Sequence, residues 1–167
     1  MTLKELQKIL TSIAPADREA MDRAKKRQAE LAKPPGSLGK LEDMSIRLAG
    51  ITGQVRNQLE SCRILVFAAD NGVIAEGVSS SPESVTLSQA VNMTRHITGM
   101  SALARYFGNS VVVADVGINA EVRCPAILNR KIRRSTRNLA KEPALTRQEV
   151  LDAMGVGLEL AGQAKEE

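Results

Sequence analysis

Two apolar runs that close alike limit what this chain can fold into. Residues 64–69 read Ile-Leu-Val-Phe-Ala-Ala and lead into Asp70-Asn71-Gly72. Residues 110–114 read Ser-Val-Val-Val-Ala and lead into Asp115-Val116-Gly117. The first run does not alternate polar with apolar, so it predicts a strand buried on both faces, as in a parallel sheet covered by helices. Helical patterns separate the two runs, which predicts βαβ units whose loops gather at one edge. Ligands of open α/β sheets sit outside the carboxyl ends of the strands. Asp70 is therefore expected where a ligand would be met, at the end of a central strand, with Gly72 supplying positive φ for a sharp turn.

The segment after this turn reads as a helix start. A Ser caps it, Pro82 fits its first turn, and Glu83 faces the positive end of the helix dipole. The helix is expected to reach about Ile97, with Leu87, Ala90, Thr94 and Ile97 inward. Ser81 and Gln89 lie off that stripe, roughly 12 Å apart along the axis. Two readings stay open: the pair brackets a flat ligand, or Ser81 only caps and Gln89 only faces water. Spacing alone favours the second.

Composition narrows the function classes. The 167 residues suffice for a domain with a proper core. Aromatic residues make up only 2% and Trp is absent, so the core is built from Leu, Ile, Val, Ala and Met. Single-stranded nucleic-acid binding, which uses aromatic stacking platforms, is disfavoured. The net charge of +4 fits an anionic small molecule. Cys62, Cys124 and the single His96 give neither a metal-ligand spacing nor a disulfide framework. No apolar run approaches bilayer length, and the N-terminus lacks the apolar core of a signal peptide, so a bacterial or archaeal cytoplasm is expected, without membrane or nucleic-acid partners.

Elsewhere the pattern is mostly helical. Thr2 and Glu5 form a capping box before Leu3, Leu6, Ile9 and Leu10. A charged helix follows over 17–31. Lys33-Pro34-Pro35-Gly36-Ser37-Leu38-Gly39 is a rigid turn, with Ser37 as cap of a helix striped by Leu41, Met44, Leu48 and Ile51. A short helix is expected over 100–107. Residues 128–139 carry Arg130, Lys131, Arg133, Arg134 and Arg137. They read mainly as a solvated edge strand kept from pairing by charge, with one or two cations available to a phosphate or carboxylate. Thr146 and Glu149 cap a last helix expected to bury Val150, Met154, Leu158 and Ala161. Two or three strands with about six helices read like the first half of a doubly wound domain.

Several segments resemble one family in order and spacing. They are Lys33-Pro34-Pro35-Gly36-Ser37-Leu38-Gly39-Lys40-Leu41-Glu42, Ala69-Asp70-Asn71-Gly72-Val73, Glu76-Gly77-Val78, Ser81-Pro82, Gln89, Asn92-Met93-Thr94-Arg95, Thr98-Gly99, Asp115-Val116-Gly117 and Arg137-Asn138. Together they resemble the nicotinate-nucleotide–dimethylbenzimidazole phosphoribosyltransferases over essentially the whole chain. The resemblance implies an α/β fold, a partial Rossmann-like parallel sheet with flanking helices. Residues 1–34 would supply N-terminal helices of a small helical domain, and residues 35–167 the first half of the sheet domain.

It also implies a homodimer that needs no metal or other cofactor. The reaction moves the phosphoribosyl group of nicotinate mononucleotide onto 5,6-dimethylbenzimidazole, giving α-ribazole 5′-phosphate and nicotinate for the lower ligand of cobalamin. Ser81 and Gln89 match positions lining the benzimidazole pocket, and Asp70, Asn71 and Gly72 fall at its floor. Asn71 stands where the family often has His, and Ser135 where many members have Gly. The family's catalytic glutamate and nucleotide-holding glycine-rich segment would fall beyond Glu167. No acid of this chain is carried over as the base, and the chain alone is expected to be inactive. The alternative is a non-catalytic benzimidazole-binding or assembly module.

Overall fold

The computed structural model describes residues 1–58 and 62–166. Three parallel strands, β1 (Arg63–Ala69), β2 (Ser110–Gly117) and β3 (Ile127–Asn129), form a sheet in the order β1-β2-β3. The helices are α1 (Leu3–Ser12), α2 (Arg18–Glu30), α3 (Lys40–Thr52), α4 (Ser84–Thr94), α5 (Gly99–Tyr106) and α6 (Arg147–Glu166), with a 3-10 turn over Gly72–Glu76. Contacts divide the chain into one unit of Met1–Gln7 with Ser61–Glu167 and another of Lys8–Glu60. No helix among the described residues is long and apolar enough to cross a membrane.

In the sheet unit, alternation along the strands sends neighbouring side chains to opposite faces. Val66, Ala68 and Val113 meet Ala90, Leu87 and Val91 of α4. Leu65, Ala114 and Val116 meet Val156 and Leu160 of α6. One helix per face buries the middle strand, β2, far better than β1. The strand expected to be central and buried is instead an edge strand among the described residues. Most of its side chains are half-buried, and Phe67 is 43% exposed.

The phase of α6 also departs from expectation. Leu151, Val156 and Leu160 are buried, while Val150, Met154 and Leu158 stay more than 40% exposed and Ala161 is exposed. Both rows have helical spacing, and packing against the sheet chooses between them. The Thr146/Glu149 capping box forms as expected: the Thr146 amide donates to Glu149 at 2.6 Å and the Glu149 amide to the Thr146 hydroxyl at 3.2 Å. The Thr2/Glu5 box forms likewise. α4 is shorter than expected. It stops at Thr94, and His96, at φ 58°, turns Ile97 out to 66% exposure.

In the second unit, α2 and α3 meet along a seam of small residues. Ala20, Ala24, Ala49 and Gly50 are buried, and a Cβ on Gly50 would lie 2.6 Å from the Met21 side chain. The stripe read for α3 is therefore not its buried face: Leu41, Met44 and Ile51 are each more than 60% exposed. The small seam lets the backbones approach closely. Ser37 does not cap α3. The helix starts behind Gly39, and Glu42 closes the turn by accepting from the Leu38 amide (3.1 Å) and Lys33 Nζ (2.7 Å). Because α3 packs on α2, the boundary read at residue 34 falls inside this unit.

Candidate functional site

The carboxyl ends of β1 and β2 are tied into one rim. The β1–β2 register slips between Ala68 and Ala69, so Ala69 pairs with Gly117. Such irregularities re-aim the side chain that follows. Asp70 comes next and is buried, at 6% exposure. Its amide donates to the Gly117 carbonyl (3.1 Å), its carbonyl accepts from the Thr136 amide (3.1 Å), and its Oδ2 accepts from the Asn119 amide (2.7 Å). Two segments distant in sequence, residues 117–119 and Thr136, thus fix Asp70, and the Asn119 amide holds its carboxylate.

Gly72 is essential for a reason other than the one read from sequence. It is not at positive φ. A Cβ there would overlap the Thr136 carbonyl oxygen and lie within 2.9 Å of Arg137 and Asn138 backbone atoms. Its amide donates to Thr136 Oγ1 at 3.1 Å. The glycine permits close backbone approach. Past it, Glu76 is held by Asn138 (2.6 Å) and Lys141 (3.2 Å), which pins the 3-10 turn to the 136–141 loop.

A cavity of about 310 Å³ opens beside Asp70. Ala69, Asp70 and Asn71 form one side, and Val73, Ile74, Val78, Ser79, Ser81, Pro82, Glu83, Val85 and Thr86 the rest. Ser81 does not cap α4. The helix starts at Ser84 with no side-chain cap, and Glu83 accepts from Asn119 Nδ2 (2.9 Å). The Ser79 hydroxyl instead folds the loop, donating to the Ser81 carbonyl (2.9 Å) and accepting from the Ser81 amide (3.2 Å). Ser81 precedes the helix, so it and Gln89 do not bracket one helical face. Gln89 is exposed on α4, one turn past Thr86 and outside the lining residues. The structure brings Asp70, Asn71 and Ser81 to one cavity, with Gly72 behind it and Gln89 off it.

The basic run is not an edge strand, and four of its five cations are paired within the chain, while Arg134 is exposed and makes no ion pair among the described residues. β3 ends at Asn129, before it begins. Arg130 pairs with Glu159 (2.7 Å), Lys131 with Asp115 (2.8 Å), and Arg133 (3.6 Å) and Arg137 (2.7 Å) with Glu149. The two-pronged bond from Arg137, with the Thr146 amide, lowers the Glu149 pKa to about 2. These cations fold the segment that carries Thr136 to Asp70. The roles of Asn119, Thr136 and Lys131 do not show in the sequence, since each acts across 11 to 66 positions and leaves no local pattern.

Ser135 carries local strain in this segment. It sits at φ 53°, a left-handed conformation that suits Gly, and its buried hydroxyl has no hydrogen-bond partner. Its amide donates to the Gly117 carbonyl at 2.9 Å, so the conformation is held from outside. Ser135→Gly keeps that bond and removes both costs. It is expected to stabilise the chain by about 1 kcal/mol, read as a higher urea midpoint with an unchanged slope.

Comparison with known proteins points the same way. A phosphoribosyltransferase family model matches residues 13–167. Curated relatives named nicotinate-nucleotide–dimethylbenzimidazole phosphoribosyltransferase include one from Ruminiclostridium cellulolyticum, 43% identical over 99% of this chain and 46% of its own length. Another, from Deinococcus radiodurans, is 44% identical over 95% of this chain and 46% of its own length. A crystal structure of CobT from Thermus thermophilus superposes with a TM-score of 0.81 at 39% identity, covering 89% of this chain and 45% of that one. A second Thermus thermophilus structure, of the phosphoribosyltransferase under its full name, gives 0.83 at 39% identity, over 90% and 46%. The chain spans about half the length of the curated relatives it matches.

Proposed function

The chain belongs to the nicotinate-nucleotide–dimethylbenzimidazole phosphoribosyltransferase family, and from that premise we propose that its cavity beside Asp70 holds the benzimidazole accepting a phosphoribosyl group. The observation that carries the reading is the cavity itself. It lies at the carboxyl edge of a parallel sheet, has apolar walls from Val73, Ile74, Val78 and Val85, and is served by a few polar groups from Asp70, Asn71 and Ser81. A flat apolar bicycle with two ring nitrogens needs that mixture. The Ser81 hydroxyl makes no hydrogen bond of its own among the described residues and is available to a ring nitrogen.

In the proposed reaction one benzimidazole nitrogen attacks the ribose carbon of nicotinate mononucleotide from the face opposite the pyridinium. The carbon–nitrogen bond to nicotinate breaks, its electron pair goes to the departing ring, and the configuration inverts to α. The other ring nitrogen gives up its proton to a general base. No carboxylate of this chain is assigned that role. One Asp70 oxygen is taken by the Asn119 amide, and Glu76 is held by Asn138 and Lys141. This half contributes the cavity wall and holds the benzimidazole in line. The general base and much of the nucleotide site are proposed to come from sequence matching the rest of the relatives' length.

Calorimetry with 5,6-dimethylbenzimidazole tests this. The wild-type chain is expected to bind, Ser81→Ala to bind about fivefold more weakly through loss of one hydrogen bond, and Gln89→Ala to change affinity less. No heat from the wild type, or equal affinity in Ser81→Ala, overturns the reading. Mixing the chain with a separately made C-terminal portion of a relative and assaying α-ribazole 5′-phosphate then separates a half-enzyme from a binding module. Binding without product in any mixture favours the module.

A further inference from the structure

We propose that Lys131 is a positioning residue: its ammonium holds the 117–120 loop in the one shape that aims the Asn119 amide at Asp70 and so fixes the cavity floor. The Lys131 ammonium is held by one ion pair and two carbonyls from two sides of the rim. It pairs with Asp115 Oδ2 at 2.8 Å and donates to the carbonyls of Ile118 and Ala120, the latter at 3.2 Å. Asp115 is 1% exposed, and its other oxygen accepts from the Gly117 (3.1 Å) and Ile118 (2.9 Å) amides. The ammonium therefore bridges the end of β2 to the far side of the turn.

Between the residues it grips lies Asn119. Its side chain is exposed, yet its backbone amide is spent on Asp70 Oδ2 and its side-chain amide on Glu83. Among the described residues, no other donor holds the Ile118 and Ala120 carbonyls, which bracket that residue. If the ammonium is removed, the turn is free to rotate the Asn119 amide away. The Asp70 carboxylate then loses the Asn119 amide and Glu83 its link to the rim. Arg does not replace Lys here. Three acceptors converging on one point suit a compact ammonium, and a planar guanidinium spreads its donors.

The proposal's effect on the ligand rests on the reading of the cavity as the benzimidazole site, whereas its effect on the loop does not. The test is amide hydrogen exchange by NMR on the full chain, wild type against Lys131→Met, with 5,6-dimethylbenzimidazole affinity measured on both. The variant is expected to lose protection at Ile118 and Asn119 by roughly tenfold relative to the β1–β2 amides, and to bind the benzimidazole roughly tenfold more weakly. Lys131→Gln keeps a donor for the two carbonyls and is expected to fall between the two. It decides the matter should the Met variant not fold. A uniform loss of protection across the sheet, or unchanged protection at Ile118 and Asn119, overturns the positioning role. So does local loss with unchanged affinity. If the wild type binds no benzimidazole, the reading of the cavity fails and the exchange pattern alone judges Lys131.

Discussion

Gly72→Ala is expected to lower the unfolding free energy by about 3 kcal/mol, the upper part of the usual overpacking range, and to abolish ligand binding in what remains folded. The methyl would occupy the space of the Thr136 carbonyl oxygen and crowd the backbone of Arg137 and Asn138. All of these are main-chain atoms, so no side-chain rotation relieves the clash. The 136–138 segment must move away from the end of β1. In moving, it breaks the Thr136 hydrogen bonds to the Gly72 amide and the Asp70 carbonyl. Urea unfolding followed by circular dichroism measures the first effect and calorimetry the second. A loss below about 1 kcal/mol would show that the two segments slide apart freely, which the bonding of Asp70 to residues 117–119 and Thr136 argues against.

Asp115→Ala is expected to cost about as much, roughly 3 kcal/mol, by a different route. The Asp115 carboxylate is 1% exposed, accepts two amides through one oxygen and forms an ion pair with the Lys131 ammonium through the other. Its removal orphans the Gly117 and Ile118 amides and leaves a part-buried cation with only carbonyls for company. Asp115→Asn keeps an oxygen for the two amides but loses the charge and turns an NH2 donor toward the Lys131 ammonium, so about 2 kcal/mol is expected. Equilibrium unfolding of both variants checks the order. If Asn is as damaging as Ala, the ion pair carries the site. If Asn is harmless, the amide caps do.

Where local chemistry decides structure, the amino-acid order is readable. The Thr2/Glu5 and Thr146/Glu149 boxes are pairs three residues apart, and both form. The two β-branched runs are neighbouring parallel strands. Helix phase is ambiguous wherever two faces are apolar enough. In α3 the Leu41 row loses to Ala49 and Gly50, and in α6 the Met154 row loses to Leu151, Val156 and Leu160. Spacing fixes the period of a helix, while its partner fixes the phase. The basic run deceives because charge alone does not show that its partners, Asp115, Glu149 and Glu159, lie 12 to 29 residues away. At the site, Asp70 follows from the strand-end rule and Ser81 from resemblance. The Asn119 amide, the Thr136 clamp and the Lys131 bridge belong to the tertiary fold and leave no trace in spacing.

The cavity has two unlike walls. The Asp70 wall is cross-linked to residues 117–119 and to Thr136, so a change there disturbs the sheet. The facing wall, from Val78 to Thr86, is a short loop and helix start in which Val78 and Val85 are 67% and 38% exposed and only Glu83 is tied to the rim, through Asn119. On the proposed reading of the cavity, natural variation can resize and repolarise the second wall at small cost to folding, and descendants of one scaffold can come to accept different heterocycles. In this architecture, evolvability is concentrated in the lining residues between Val78 and Thr86.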